Sequence, residues 1–202
     1  MRTVSIRYTL FRGAFHVLIG SLLVVMVLLL SRLVASIILT SLTAVLLIFE
    51  LVRLHVPLIN RIFLRWFAPL IRSKEKATLT GSSYFLAGCL ITVLVFPSYI
   101  AASAILFLSL GDPIAAWIGT SSGGVRFWGK TIEGHLACFS ICLISAGLLS
   151  VILEDLTFTV ALVGAVVATV LQALPLPVND NFSIPLGSAA AMALTNFISQ
   201  HL

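Results

Sequence analysis

Long apolar stretches alternate with short polar segments along almost the whole chain. The stretches lie at residues 14–31, 33–51, 82–96, 98–117, 136–153, 156–174 and 184–199. A helix needs about 20 apolar residues to cross a hydrocarbon core about 30 Å thick, and most of these stretches approach that length. The pattern therefore predicts an all-α polytopic integral membrane protein with about seven transmembrane helices in a single domain of residues 1–202.

The composition excludes a soluble globular protein. Hydrophobic residues make up 60% of the 202 residues and charged residues only 9%, whereas charged residues are about 25% of an ordinary soluble domain. Arg2, Arg7 and Arg12 precede the first apolar stretch, and no small-residue cleavage site follows it. The stretch is therefore interpreted as a retained helix and not as a signal peptide.

The net charge of +5 is interpreted as a topology signal, so no nucleic-acid polymer is expected as a partner. If the N-terminus is cytoplasmic, the segments on that side are 1–13, 52–81, 118–135 and 175–183, and they hold eleven of the twelve basic residues. The positive-inside bias then predicts a cytoplasmic N-terminus and a C-terminus on the opposite side.

The longest polar segment combines an apolar stripe with basic residues. The apolar positions are Leu54, Leu58, Ile62, Trp66 and Leu70, and the basic positions are Arg53, Arg61, Arg65 and Arg72. Their nearly helical spacing predicts one interfacial amphipathic helix on an anionic leaflet. A basic connector that serves topology alone explains the same charges equally well.

The segment from Gly111 to Gly134, GDPIAAWIGTSSGGVRFWGKTIEG, carries the most candidate chemistry. Asp112 ends a hydrophobic run with no basic residue beside it, and an unpaired carboxylate near a membrane is costly. Magnesium suits a lone carboxylate that is supplemented by water and phosphate oxygens. Asp112 is therefore a candidate metal ligand, and a helix cap or an interfacial marker is the alternative.

A polar turn at residues 120–124 is a candidate phosphate site. It ends in Gly123 and Gly124, whose backbone amides can approach phosphate oxygens closely, and Arg126 and Lys130 add positive charge. The sequence GVRFWGKT from Gly124 matches the P-loop pattern, but a predicted membrane helix precedes it where that fold requires a parallel strand. The nucleoside-triphosphatase fold is therefore excluded, and a plain flexible loop is the alternative to a phosphate site.

A second carboxylate is predicted on the same side of the membrane. Asp180 lies in VNDNFSIP, between two apolar stretches. Asp112 and Asp180, which come from separate helices, could hold magnesium between phosphates, as phosphoryl transfer requires. Asp180 is also the favoured acceptor of a hydroxyl proton. An ordinary Asx-rich turn is the alternative.

Three further polar residues lie close to the predicted membrane boundary. Glu50 and Arg53 are three positions apart and predict an ion pair on one helix face, for which a structural role is favoured over catalysis. His16 lies one turn into the first apolar stretch. It could contact either a neighbouring carboxylate or a substrate phosphate, since an imidazole there needs a partner.

Several motifs together resemble the CTP-dependent lipid kinases, namely dolichol kinase, phytol kinase and the yeast-type diacylglycerol kinase, which are related to phosphatidate cytidylyltransferases. The motifs are Arg12 with His16, ELVRL from Glu50, EKATLTGSSYFLAG from Glu75, GDPIAAWIG from Gly111, GKTIEG from Gly129 and DNFSIPL from Asp180. They span most of the chain, and their order and spacing are more specific than any single motif.

This resemblance implies transfer of the γ-phosphate of CTP to a lipid alcohol such as diacylglycerol, a polyprenol or phytol, with Mg²⁺ as cofactor. The short chain favours the kinase branch. A phosphatidate cytidylyltransferase that forms a CDP-lipid and a non-catalytic membrane scaffold or transporter are the alternatives.

The motifs and the chemistry above assign the following roles. The expected CTP-binding residues are Gly111, Gly119, Gly123, Gly124, Arg126, Lys130, Thr131, Glu133 and Gly134, and Glu133 is expected to orient Lys130. The expected catalytic residues are Asp112, Asp180 and Lys130, and the two aspartates are the expected metal ligands. The expected substrate-binding residues are Arg12, His16, Glu50, Arg53, Glu75 and Asn181.

Overall fold

The computed structural model describes the backbone of residues 2–201 and the side chains of residues 9–201 other than 69 and 74. The predicted topology signals Arg2, Arg7 and Lys74 therefore have side chains outside the described residues. The α-helices are α1 (Arg2–Leu29), α2 (Arg32–His55), α3 (Pro57–Phe67), α4 (Gly81–Val95), α5 (Ser98–Ser122), α6 (Ile132–Ile152), α7 (Phe158–Ala173) and α8 (Asp180–His201). Between them lie the 3₁₀ turns Ala68–Leu70 and Ser73–Lys76 and an antiparallel hairpin of β1 (Arg126–Phe127) and β2 (Lys130–Thr131).

These helices confirm the predicted all-α polytopic membrane class. Within the described residues, α1 from Thr9 onward, α2, α5, α6 and α8 are long and apolar enough to cross a membrane. Two shorter apolar helices, α4 and α7, complete the set. Each of the seven predicted apolar stretches coincides with one of these helices, and α3 lies inside the segment for which an amphipathic helix is predicted.

The end of α5 departs from the sequence prediction. The apolar pattern predicts a span to residue 117 and a flexible turn from residue 120, but the helix continues to Ser122. The hydroxyls of Thr120 and Ser121 donate to main-chain carbonyls one turn earlier, so their polar atoms are satisfied inside the helix. The helix ends where Gly123 takes the left-handed conformation, with φ of 61°, which costs glycine little.

The start of α1 also differs from the prediction. The helix begins at Arg2 and not at residue 14. Arg12 and His16 are therefore both helical and lie one turn apart, on the same face of α1. This places a guanidinium and an imidazole side by side at one end of the helix bundle.

α5 lies at the centre of the bundle and packs against α1, α6, α7 and α8. Small residues on its buried face, including Ala101, Ala102 and Ala104, let the neighbouring helices approach closely. α4 packs against both α2 and α8. The consecutive helices α1 and α2 scarcely touch each other, so a gap separates them.

Candidate active site

One end of the helix bundle contains a cavity of about 560 Å³ with a polar lining. The N-terminal part of α1, the C-terminal part of α5, the hairpin and the adjoining ends of α6, α7 and α8 converge on it. Its polar side chains are those of Thr9, Arg12, His16, Arg72, Asp112, Thr120, Arg126, Lys130, Thr131, Gln172 and Asp180. We call it the polar cavity.

The polar cavity brings together two carboxylates from different helices. Asp112 comes from the middle of α5, directly before Pro113, and Asp180 is the first residue of α8. Lys130 on β2 donates a hydrogen bond from Nζ to Asp180 Oδ2 at 2.8 Å and another to the main-chain carbonyl of Gln172. This ion pair is half-buried, so the ammonium group is held at the cavity wall beside the carboxylate.

Positive charge surrounds these carboxylates. Arg12, Arg72, Arg126 and Lys130 all line the cavity and approach it from different parts of the chain. Cations from several directions suit an anionic ligand with several negatively charged oxygens, such as a polyphosphate. The polar cavity is therefore an anion site that also contains carboxylates able to bind a metal ion.

The hairpin places Lys130 at the cavity. In its antiparallel register Arg126 pairs with Thr131 and Phe127 with Lys130. The tight turn between the strands contains Trp128 and Gly129, whose φ values are 51° and 82°. In the part of the chain that the structure describes, α5 and no parallel strand precedes this segment, so the P-loop pattern occurs here outside its fold.

Several of the predicted nucleotide-binding glycines pack helices together. A Cβ on Gly119 would lie 2.6 Å from Thr131 Oγ1, and one on Gly134 would lie 2.8 Å from the Ala115 carbonyl oxygen. A Cβ on Gly111 would lie 2.9 Å from Cys138 Sγ. These glycines let α5 approach α6 and the hairpin at the cavity wall.

The structure separates the predicted CTP-binding residues into two groups. Those that line the polar cavity are Gly119, Gly123, Arg126, Lys130, Thr131 and Gly134, and those that do not are Gly111, Gly124 and Glu133. The expectation that Glu133 orients Lys130 is corrected, because Lys130 pairs with Asp180. Glu133 Oε2 is buried and has no hydrogen-bond partner among the described residues.

A second cavity of about 630 Å³ lies beside the polar one. Most of its lining is apolar and comes from α1, α2, α3 and α4, including Phe15, Ile19, Leu23, Leu42, Leu46, Phe49, Phe63, Phe67, Phe85 and Leu86. Arg12 and His16 line both cavities, so α1 forms a common wall. We call this second space the apolar cavity.

A buried polar cluster closes one end of the apolar cavity and confirms the predicted ion pair. Arg53 Nη2 lies 2.6 Å from Glu50 Oε2, and both side chains are at most 1% exposed. The guanidinium also donates to Asn60 Oδ1 and to the Thr78 carbonyl, while the Thr80 hydroxyl donates to Glu50 Oε1. This network ties the end of α2 to α3 and to the start of α4, as a structural ion pair would.

The predicted substrate-binding residues Glu75 and Asn181 lie at the same end. Glu75 and Asn181 line the apolar cavity with Glu50, whereas Arg53 does not reach it. The Asn181 side chain donates to the Gly81 carbonyl at 2.9 Å. Glu75 Oε2 accepts from the Arg72 main-chain N–H, but its Oε1 is buried without a partner among the described residues.

Sequence reasoning missed three polar residues of the site, namely Thr9, Arg72 and Gln172. Arg72 was placed in the amphipathic segment and given no role in the site, yet it lines the polar cavity. Gln172 also lines it, is 3% exposed, and its Oε1 accepts a hydrogen bond from His135 Nδ1 at 2.8 Å. For Gln172 the only available signal was a lone glutamine near the end of a predicted apolar helix.

The chain is similar in sequence to several known proteins. The chain is 26% identical over 177 residues to an uncharacterized protein of Rickettsia prowazekii, a match that covers 83% of this chain and 85% of the relative. It is 33% identical over 81 residues to CTP-dependent diacylglycerol kinase 1 of Schizosaccharomyces pombe. It is 28% identical over 104 residues to CTP-dependent diacylglycerol kinase 1 of Saccharomyces cerevisiae.

The yeast matches cover 40% and 50% of this chain and 34% and 36% of the two kinases. The chain therefore spans about a third of the length of these yeast relatives. No protein-family model and no solved structure matches the chain.

Proposed function

We propose that this protein is a membrane lipid kinase that transfers the γ-phosphate of CTP to a lipid alcohol. The observation that carries the proposal is the polar cavity, where Asp112 and Asp180 meet four cationic side chains directly beside a large apolar cavity. Partial similarity to yeast kinases that use CTP and diacylglycerol, as their names state, supports the same reaction class.

The donor set of the polar cavity fits Mg²⁺. Within the described residues, no three His, Cys, Asp or Glu side chains converge as a self-sufficient metal site. Mg²⁺ does not need one, because it is usually held by one or two carboxylates together with substrate phosphates and water. Asp112 and Asp180 would hold it here, and when bound it neutralises charge on the phosphate oxygens during transfer.

The cationic residues of the cavity would bind the phosphates. Phosphoryl transfer requires positioning and charge neutralisation more than covalent help from the protein. Arg12, Arg72 and Arg126 supply charge from three directions. Lys130 is held against Asp180 at the cavity wall, so its ammonium group would be available to a phosphate bound in the cavity.

The proposed orientation places the polar cavity on the cytoplasmic side. Nearly all basic residues then face the cytoplasm, as the positive-inside bias requires. CTP reaches the polar cavity from water, and the lipid reaches the neighbouring apolar cavity from the bilayer.

Product analysis with purified protein tests this function. The protein is incubated with Mg²⁺ and with CTP labelled either in the γ-phosphate or in the base, and is supplied in turn with diacylglycerol, a polyprenol, phytol and phosphatidate. A kinase transfers the γ-label to the lipid alcohol and releases CDP. Transfer of the base label to phosphatidate with release of pyrophosphate would show a cytidylyltransferase, and no turnover with any lipid would contradict both activities.

A further inference from the structure

Two buried polar atoms at one end of the apolar cavity have no partner in the described structure. They are Nε2 of His16 and Oε1 of Glu75, and both residues line the cavity. A buried polar atom that makes no hydrogen bond costs free energy comparable to a lost hydrogen bond, about 1–3 kcal/mol. Such atoms in a cavity wall indicate a ligand that supplies the missing hydrogen bonds.

The shape of the cavity indicates that the ligand is elongated. From His16 the lining continues along α1 through Ile19 to Leu23, a distance of about 10 Å at the rise of an α-helix. On the facing helix α2 the lining runs from Glu50 to Leu42. The cavity is therefore polar at one end and apolar along the rest of its length.

The two unpartnered atoms also indicate which kind of lipid head group the apolar cavity can bind. A carboxylate oxygen only accepts hydrogen bonds, and an imidazole nitrogen without a proton does the same. A hydroxyl group can donate to either atom, whereas a phosphate or carboxylate head group would place a second negative charge beside Glu75. At Glu75 and His16 the lining thus favours a neutral lipid with a hydroxyl head group over an anionic lipid.

We propose that the apolar cavity binds the lipid alcohol that accepts the phosphate, with its hydroxyl group hydrogen-bonded to His16 Nε2; this assignment rests on the proposed kinase function. His16 lines both cavities, so a hydroxyl group held by its imidazole lies where the apolar cavity meets the phosphate site. The apolar chain extends between α1 and α2, where these helices diverge and scarcely touch.

The same contact gives His16 a role in the reaction. The hydroxyl oxygen forms a bond to the γ-phosphorus while the bond from that phosphorus to the bridging oxygen breaks, and CDP leaves with the bonding electron pair. The hydroxyl proton passes to His16 Nε2 and from there to water in the polar cavity. Asp180, the proton acceptor favoured from the sequence, is instead engaged by Lys130.

Filling the apolar cavity tests the lipid site. Leu46 lines the cavity, and its neighbour Val45 is 68% exposed on the outside of the same helix. We expect Leu46→Trp to abolish labelling by a long-chain alcohol that carries a photoreactive diazirine and to raise KM for the lipid at least about tenfold, with KM for CTP unchanged. The matched control Val45→Trp should behave like the parent protein.

A second variant tests the same site independently, in case the first variant does not fold. Leu42→Trp fills the far end of the cavity, and melting temperatures in detergent show whether each variant is folded. If a folded Leu46→Trp or Leu42→Trp variant is labelled as strongly as Val45→Trp, the apolar cavity is not the lipid site.

His16→Ala tests the role of the imidazole. We expect it to retain photolabelling of the cavity while kcat falls by about a hundredfold, the usual contribution of a general base. An unchanged kcat would overturn the role of His16 in proton transfer.

The assays separate this inference from the proposed function. Phosphorylation of a lipid alcohol without labelling of the apolar cavity would refute the lipid site and leave the kinase intact. Specific labelling of the cavity in a protein that never turns over CTP would refute the kinase and, with it, the assignment of the bound alcohol as a phosphate acceptor.

Discussion

At the scale of single residues, Asp112 is the side chain on which the proposed chemistry depends most. It is half-buried, lies in the middle of an apolar helix and lines the polar cavity. A carboxylate in this environment is costly to maintain and is usually functional. Asp112 lines the same cavity as the Asp180–Lys130 pair, where we propose that a metal ion binds.

We therefore predict that Asp112→Asn folds but loses at least about a hundredfold in CTP-dependent phosphorylation, as expected when charge stabilisation of a transition state is removed. Asparagine keeps the size of the side chain but lacks the negative charge that a hard divalent cation requires. Activity at saturating CTP, measured alongside the melting temperature, checks this. Glu154→Gln, in the exposed turn at the opposite end of the bundle, is the control and should match the parent; retention of most activity by Asp112→Asn would refute the metal role.

Residue contacts were predictable only where the partners are close in sequence. Glu50 and Arg53 are one helical turn apart, so their ion pair follows from helix geometry. Lys130 and Asp180 are fifty positions apart, and nothing in either local segment specifies that they meet. Lys130 also pairs with Asp180 and not with Glu133, because proximity in sequence does not determine side-chain direction where β2 leads into α6.

At the scale of elements, α4 and α8 are held at very short range. A Cβ on Gly88 of α4 would lie 2.8 Å from the Asn181 carbonyl oxygen and 3.0 Å from Phe182 Cα on α8. These are main-chain atoms that cannot move aside without shifting the helix. The close contact fixes the start of α8, which carries Asp180 and Asn181.

We expect Gly88→Ala to lower the melting temperature and the kinase activity together, because the added methyl group forces α8 away from α4. Overpacking of this kind costs about 1–3 kcal/mol. Gly147→Ala is the matched control, since a Cβ at Gly147 of α6 meets nothing within 4 Å and alanine favours a helix over glycine. Equal melting temperatures for the two variants would show that α4 and α8 do not pack as described.

The elements themselves were largely predictable, but their ends were not. Apolar runs identify membrane helices because the lipid environment demands them. Hydropathy does not reveal that α5 continues to Ser122, because Thr120 and Ser121 look like turn residues until their hydroxyls bond within the helix. Hydropathy also does not distinguish Leu46, which lines the apolar cavity, from Val45, which is exposed.

At the scale of the whole molecule, the arrangement of helices places the two ends of the bundle on opposite sides of a membrane. Ser121, at the end of α5, and Asp155, in the turn before α7, are both exposed. The native cysteines Cys89, Cys138 and Cys142 are all buried and should react slowly. Single cysteines introduced at these two exposed positions can therefore report the topology.

We predict that Asp155→Cys reacts with a membrane-impermeant maleimide on intact cells and that Ser121→Cys reacts only after the membrane is permeabilised. The reason is that the basic residues cluster at the Ser121 end, which the positive-inside bias assigns to the cytoplasm. Labelling of both positions from the same side would overturn the proposed topology, and the reverse pattern would invert it.

The short helices α4 and α7 have a consequence for the depth of the reaction. They contain 15 and 16 residues and are about 22 Å and 24 Å long, which is less than a hydrocarbon core of about 30 Å. Asp112 is likewise about 21 Å along α5 from Ser98. When the ends of these helices farthest from the polar cavity lie at one membrane surface, their other ends and Asp112 lie several ångströms below the opposite surface. The polar cavity is then within the membrane. Water and nucleotide would enter the membrane to reach the lipid hydroxyl, and the lipid would react without leaving its leaflet.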